Sequence, residues 1–181
     1  MRPDICAVGV SLLLFLSPIA HADERACKLI SKAEAETALG QQIRNPEDIT
    51  PALITGAVYS FDMSGCGYSV SEGYADPAFS VVISFAPFEP GVSVSSIREY
   101  NGPNLRDIPG LGKTAFWDFT GGPFLDLNDK PWGQLFVFTD AYILTVGMHS
   151  IPNEDAALAL ALSIANRAVP RIPERIAPRK R

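Results

Sequence analysis

His149 is the only histidine after residue 22, and the chemistry open to this chain turns first on it. As a general base it would need a nucleophile beside it and a carboxylate to orient it. No Gly-x-Ser-x-Gly elbow occurs in the chain to supply that nucleophile. As a zinc ligand it would have only carboxylates or the cysteines for company. Its position, where an apolar run ends, marks it as a surface or end-of-strand residue. Carboxylate pairs could serve hydrolysis. Acidic residues are many, but no spacing singles out two of them.

Two other strings invite a ligand. Gly110-Leu111-Gly112-Lys113-Thr114 ends like a phosphate-binding loop, but the opening glycine is missing, since position 107 is Asp. The residues that follow, Ala115-Phe116-Trp117-Asp118-Phe119, read as a strand where that motif requires a helix. Asp126-Leu127-Asn128-Asp129 begins like a calcium loop, yet Pro131 stands where glycine is needed and Val137 where the closing Glu belongs. The first string is a turn and the second a solvated hairpin loop. No cofactor and no metal is expected.

Two cysteines remain after the leader, Cys27 and Cys66. They lack Cys-x-x-Cys spacing and an activating neighbour, so in an exported chain the pair reads as a disulfide. By chain-entropy reasoning such a bridge contributes about 4 kcal/mol. Aromatic residues concentrate in the second half, and Trp117, Trp132 and Phe124 form a candidate ligand or partner surface. The competing account makes the same residues core and scattered surface.

The elements that must position these groups follow from periodicity. Ser31-Lys32-Ala33-Glu34 is a capping box and Gly40 a left-handed stop, giving a helix from Lys32 to Leu39. Asn45 to Thr55 reads as loop, leading into a strand near Ala57 to Phe61. Cys66, Tyr68 and Val70 alternate with small residues, and Phe79, Val81, Ile83 and Phe85 alternate with Ser80 and Ser84 opposite. Together they predict an antiparallel hairpin. A short helix over Val92 to Tyr100, a strand over Ala115 to Phe119 and a hairpin of Gln134–Phe138 with Tyr142–Met148 come next. Asn153 then caps a helix running to about Ala168, where Val169-Pro170 stops it. Mostly hairpin links predict an α+β fold: a single domain with an antiparallel sheet and helices packed on one face.

The first 22 residues stand outside that domain. Arg2, the apolar run Ile5 to Leu16, a Ser17-Pro18 break and Ala20-His21-Ala22 form a signal peptide cleaved after Ala22. The apolar run has 12 residues, short of the roughly 20 that span a membrane. Residues 23–169 make the domain, and 170–181 form a flexible basic tail. From residue 23 to 166 there are 18 acidic and 8 basic residues, whereas 167–181 hold six basic residues against Glu174. The acidic body argues against nucleic acid as a partner. The tail suits a weak contact with an anionic membrane.

The opening of the domain resembles a group of bacterial exported proteins and lipoproteins of unknown function. Their marker, Cys-x-Leu-Leu-Thr-x-x-Glu-x-x-x-x-Leu-Gly, is matched by Cys27-Lys28-Leu29-Ile30-Ser31-Lys32-Ala33-Glu34 and Ala38-Leu39-Gly40. Cys66-Gly67-Tyr68 and Gly110-Leu111-Gly112 before Ala115 match two further elements. The resemblance implies a disulfide-tied α+β envelope domain with no catalytic residues to carry over. Many relatives bear a lipid-anchor Cys that this chain lacks after its leader. The expectation is a periplasmic or secreted, non-catalytic binding or accessory domain. Its partner would be an envelope protein or a small ligand, with no transmembrane segment after signal cleavage. The alternatives are a secreted hydrolase using carboxylates and a protein inhibitor or interaction module.

Overall fold

The computed structural model describes residues 25–49, 63–71, 76–85, 92–119 and 131–172. The expected signal peptide, the strand expected near Ala57 to Phe61, Phe124 and residues 173–181 lie outside them. A 3-10 turn at Ala26–Lys28 leads into helix α1 (Lys32–Leu39), followed by strands β1 (Glu47–Asp48), β2 (Met63–Ser69) and β3 (Ala78–Phe85). Helix α2 (Val94–Asn101) precedes β4 (Arg106–Asp107), β5 (Thr114–Asp118), β6 (Trp132–Phe138) and β7 (Tyr142–His149). Helix α3 (Glu154–Ala168) and a 3-10 turn at Val169–Arg171 complete the order. The protein is a single α+β domain built on one antiparallel sheet.

The strands lie in the order β1-β2-β3-β7-β6-β5-β4. The two hairpins β2–β3 and β6–β7 meet along β3 and β7, whose eight positions pair from Ala78↔His149 to Phe85↔Tyr142. These central strands are the most apolar, and both faces of a central strand need cover. β1 and β4, two residues each, close the edges. Both fall where periodicity is silent, and β1 lies within the stretch read as loop, because two residues are too few to alternate. Short edges offer little backbone for another chain to pair with.

One face of the sheet carries the main core. Tyr68, Phe79, Val81, Leu135, Trp117 and Leu144 point there and pack under α3. Ala157, Ala161, Ala165 and Ala168 are fully buried, a small-residue stripe that lets α3 lie close to the sheet. Asn153 caps α3 by accepting the Ala156 amide at 2.8 Å, and Glu154 and Asp155 suit its positive end. α1 sits beside α3 with the expected capping box, Ser31 accepting from the Glu34 amide at 3.3 Å and donating its own amide to Glu34 at 2.9 Å. Helix α2 differs: it packs through Ile97 against Phe116, Phe136, Phe138 and Ile143 on the opposite face. Those aromatics alternate out of the main core and need their own cover, so the helices divide between the two faces.

Cys27 and Cys66 form the disulfide, their Cα atoms 5.0 Å apart. The bridge fastens the first 3-10 turn to β2, where the Ala26 amide also donates to Ser64 Oγ at 2.8 Å. The Tyr68 hydroxyl donates to the Ile30 carbonyl at 2.9 Å from under that turn. Burial pushes the Tyr68 phenol above its usual range.

The domain does not end at Val169. Arg171 donates to the Leu29 carbonyl at 2.6 Å and to both Glu34 oxygens at 2.8 and 2.5 Å. Ile172 is buried at 5% exposure. Residues 170–172, expected to belong to a flexible tail, are therefore part of the packed domain. The reason is a long-range ion pair that composition cannot reveal. The Arg171 guanidinium, with the Ser31 cap, holds the Glu34 carboxyl well below the usual carboxylate range.

Candidate functional site

The face that carries α2 is the unusual one. Strand alternation turns Ser80 of β3, Gly147 of β7, Gln134 of β6 and Asp118 of β5 to that side, and pairing sets them in one row across four strands. Val82, Thr145, Phe136 and Phe116 make the next row on one side. Ala78, His149 and Trp132 make the row on the other. A strip of hydroxyl, glycine, amide and carboxylate thus runs between two aromatic groups. An ordinary packed face would fill those positions with branched apolar residues.

The aromatic groups differ in character. Under α2, Phe116 lies 5.1 Å from Phe136 and 5.5 Å from Phe138, and the Arg98 guanidinium covers Phe116 at 4.6 Å. Arg98 is held there by an ion pair with Asp107 on β4. At the other end Trp132 and His149 meet edge to face, 4.3 Å apart. Trp132 and His149 are half-buried, whereas Ser80 and Gln134 keep 8% exposure each and Asp118 only 1%. The strip is therefore deepest at Asp118, its β5 end, and the row beside it becomes more open at Trp132 and His149.

Gly147 makes room for the polar groups. A β-carbon there would stand 2.7 Å from Ser80 Oγ and 3.5 Å from His149 Nε2, so both atoms flank the bare backbone. Burial pulls the His149 imidazole down to about 4, and it is neutral at neutral pH. What this face can do is hydrogen-bond a small uncharged group and press a ring or apolar edge against Trp132.

Ser150, next after His149, sits at φ 57°, the single non-glycine residue with positive φ among those described. Its amide donates to the Pro131 carbonyl at 2.8 Å, which ties the ends of β6 and β7 together. A left-handed serine costs about 1 kcal/mol or more, and such strain gathers where a rim must hold its shape. Here it fixes the rim that presents Trp132 and His149.

The expected surface of Trp117, Trp132 and Phe124 is not assembled as one. Trp117 is 1% exposed and belongs to the main core, its ring lying over Gly133. Trp117 pairs with Leu135, so Trp132, three residues earlier on β6, points to the opposite face. Only Trp132 of that set stands at the candidate site, and Phe124 lies outside the described residues. His149 ends its strand as expected but is half-buried rather than on the surface. Gln134, Asp118 and Gly147 gave no signal as a group, because they come together only through strand register. Of the carboxylates described, Asp118 alone is fully buried, and no group of three or more His, Cys, Asp or Glu residues there could hold a metal ion.

No protein-family model matches the chain, and no curated protein matches it. Among solved structures, the extracellular domain of PknH from Mycobacterium tuberculosis is similar, with a TM-score of 0.45 and 13% identity. The match covers 82% of this chain and 97% of that one.

Proposed function

We propose that this protein is an exported, non-catalytic binding module that takes a small, uncharged polar ligand on the α2-bearing face of its sheet. The observation that carries the reading is the strip Ser80–Gly147–Gln134–Asp118, sunk between aromatic groups and beside the more open Trp132 and His149. Hydroxyl and amide groups of fixed strands supply direction, and the indole supplies a surface for a ring. The neutral His149 adds a donor and an acceptor without charge. The Cys27–Cys66 bridge and the leader-like opening of the sequence support a periplasmic or secreted site of action.

The test is a chemical-shift titration with neutral mono- and disaccharides and with capped dipeptides. Shifts should centre on the amides of Ser80, Gln134 and Gly147 and on the Trp132 indole. Trp132→Ala should weaken that binding at least tenfold without changing the spectrum of the main core. Shifts confined to other surfaces, or binding indifferent to both Trp132→Ala and Gln134→Ala, would overturn the reading. Turnover of a bound saccharide would move the protein to the hydrolase class.

A further inference from the structure

Of the three helices, α2 is the one the sheet holds least. Ile97 is its one buried residue, at 3% exposure, whereas α3 buries six. Val92, Val94 and Leu105 pack beside Ile97 and are only partly buried. Helix α1 also buries one residue, Ala35, but the turn before it is fastened by the Cys27–Cys66 bridge and its Glu34 by Arg171. For α2 the further hold is Arg98, whose guanidinium lies 4.6 Å over Phe116 and pairs with Asp107 on β4. That pair is open to water, its side chains 33% and 74% exposed, and exposed ion pairs add little.

The helix is otherwise self-contained. Ser93 and Ser96 make a capping box at one end, and at the other the Asn101 side chain donates to the Ile97 carbonyl at 2.7 Å. The chain leaves through Gly102, at φ 93° and ψ −172°, a backbone region open essentially to glycine alone. A cover with its own caps, one anchoring side chain and a glycine at its exit belongs to the low-stability end of a fold. What it covers is apolar. Phe116, Phe136, Phe138 and Ile143 lie beneath it, each at 5% exposure or less. Phe116 and Phe136 stand two residues along β5 and β6 from Asp118 and Gln134, so this floor adjoins the polar strip directly. It spans three strands and two rows, an area of about 10 by 7 Å.

We propose that the ligand of this face is a neutral amphiphile, its polar head on the strip and its apolar tail on the floor beneath α2, which swings aside as a hinged cover to admit it. This rests on the strip being the polar site and adds the part of the ligand that the strip does not hold. Hydroxyl and amide groups on one row and aromatic rings on the next are the two halves such a molecule needs, and strand register fixes their spacing. A tail also supplies a driving force that a small polar molecule lacks, since each buried methylene strengthens binding about fourfold. The tail takes the place of Ile97 over the rings, so the floor exchanges one apolar cover for another.

The experiment is a chemical-shift titration of the protein with two matched pairs, kept below micelle-forming concentrations. One pair is methyl and n-octyl β-glucoside; the other is an acetyl-capped and an octanoyl-capped dipeptide amide. In at least one pair the long-tailed member should bind at least about thirtyfold tighter than the short one. Both members should shift Ser80 and Gln134, and the long-tailed one should add shifts at Phe136, Ile143 and the α2 amides. Ile97→Ala removes the anchor and populates the open cover, so it should tighten the long-tailed member severalfold and leave the short one unchanged. Arg98→Gln, a milder surface change, should act in the same direction and speed amide exchange in α2 while the main core stays protected. Equal affinity of the two members at the strip would overturn the proposal and leave the strip as a site for a small polar ligand. If no member of either pair shifted the strip, the reading of the strip would fall, and the proposal with it. Weaker binding of the long-tailed member to both variants would make α2 a fixed wall and overturn the hinged cover.

Discussion

The Ser80 hydroxyl occupies the space that a side chain on Gly147 would need, 2.7 Å from where its β-carbon would stand. The glycine and the serine lie opposite each other on the two central strands. Gly147→Ala must therefore displace Ser80, His149 or both. The expected cost is about 1–3 kcal/mol, the usual range for an overpacked site. Ser80→Ala should restore part of it in the double variant, because the two changes share one contact. Urea melts of the two single variants and the double variant measure this; strictly additive losses would show that Ser80 is not the obstacle.

Ser150→Gly relieves the left-handed strain at the rim and should raise stability by a few tenths to about 1 kcal/mol. If the strain serves the site, the same change should loosen Trp132 and His149, read as broadened side-chain resonances and weaker ligand binding. A variant more stable and equally ordered at Trp132 would make the strain incidental.

His149 gives the fold a dependence on mild acid. Its folded pKa lies near 4, below the 6.5 of a free imidazole. Between those values the unfolded chain binds a proton that the folded chain refuses, so stability is complete above about pH 6.5 and falls toward pH 4. The loss is on the order of 3 kcal/mol by the end of that window. His149→Gln should flatten that part of the pH–stability curve, with denaturant melts as the readout.

The Glu34–Arg171 pair acts lower on the same scale. Its carboxyl is held well below the ordinary range by Arg171 and the Ser31 cap. The stability it adds is present above the ordinary carboxylate range and is lost as pH falls further. Glu34→Gln should lower stability at neutral pH and remove part of the slope below about pH 4, while leaving the His149 window unchanged. Arg171→Gln should do the same, and it should also expose the amides around Leu29 and Ile30 to hydrogen exchange.

Reduction of Cys27–Cys66 opens a loop between residues 39 apart and should cost about 4 kcal/mol by loop entropy. Paired melts with and without reductant check it. A Cys27→Ala/Cys66→Ala variant should match the reduced protein, and a loss well under 1 kcal/mol would show that the packed turn holds β2 without the bridge.

Local chemistry was legible from the residues themselves. The capping box at Ser31, the Asn153 cap, the Pro170 stop and the alternation of Phe79, Val81, Ile83 and Phe85 depend on neighbours a few positions away, and each appears where its spacing places it. The antiparallel α+β fold and the cysteine pair follow from the same short-range rules, joined to compartment logic. What only the tertiary structure decided are relations across strands. Register sets Trp117 and Trp132 on opposite faces, because a side-chain period of two makes face assignment depend on pairing. Ser80, Gly147, Gln134 and Asp118 are 13 to 67 residues apart and become neighbours only when β3, β7, β6 and β5 lie side by side. Arg171, in a basic stretch of the sequence, is bound by Glu34, 137 residues away. A charge carries no mark of its partner in the sequence, and only folding brings the two within reach.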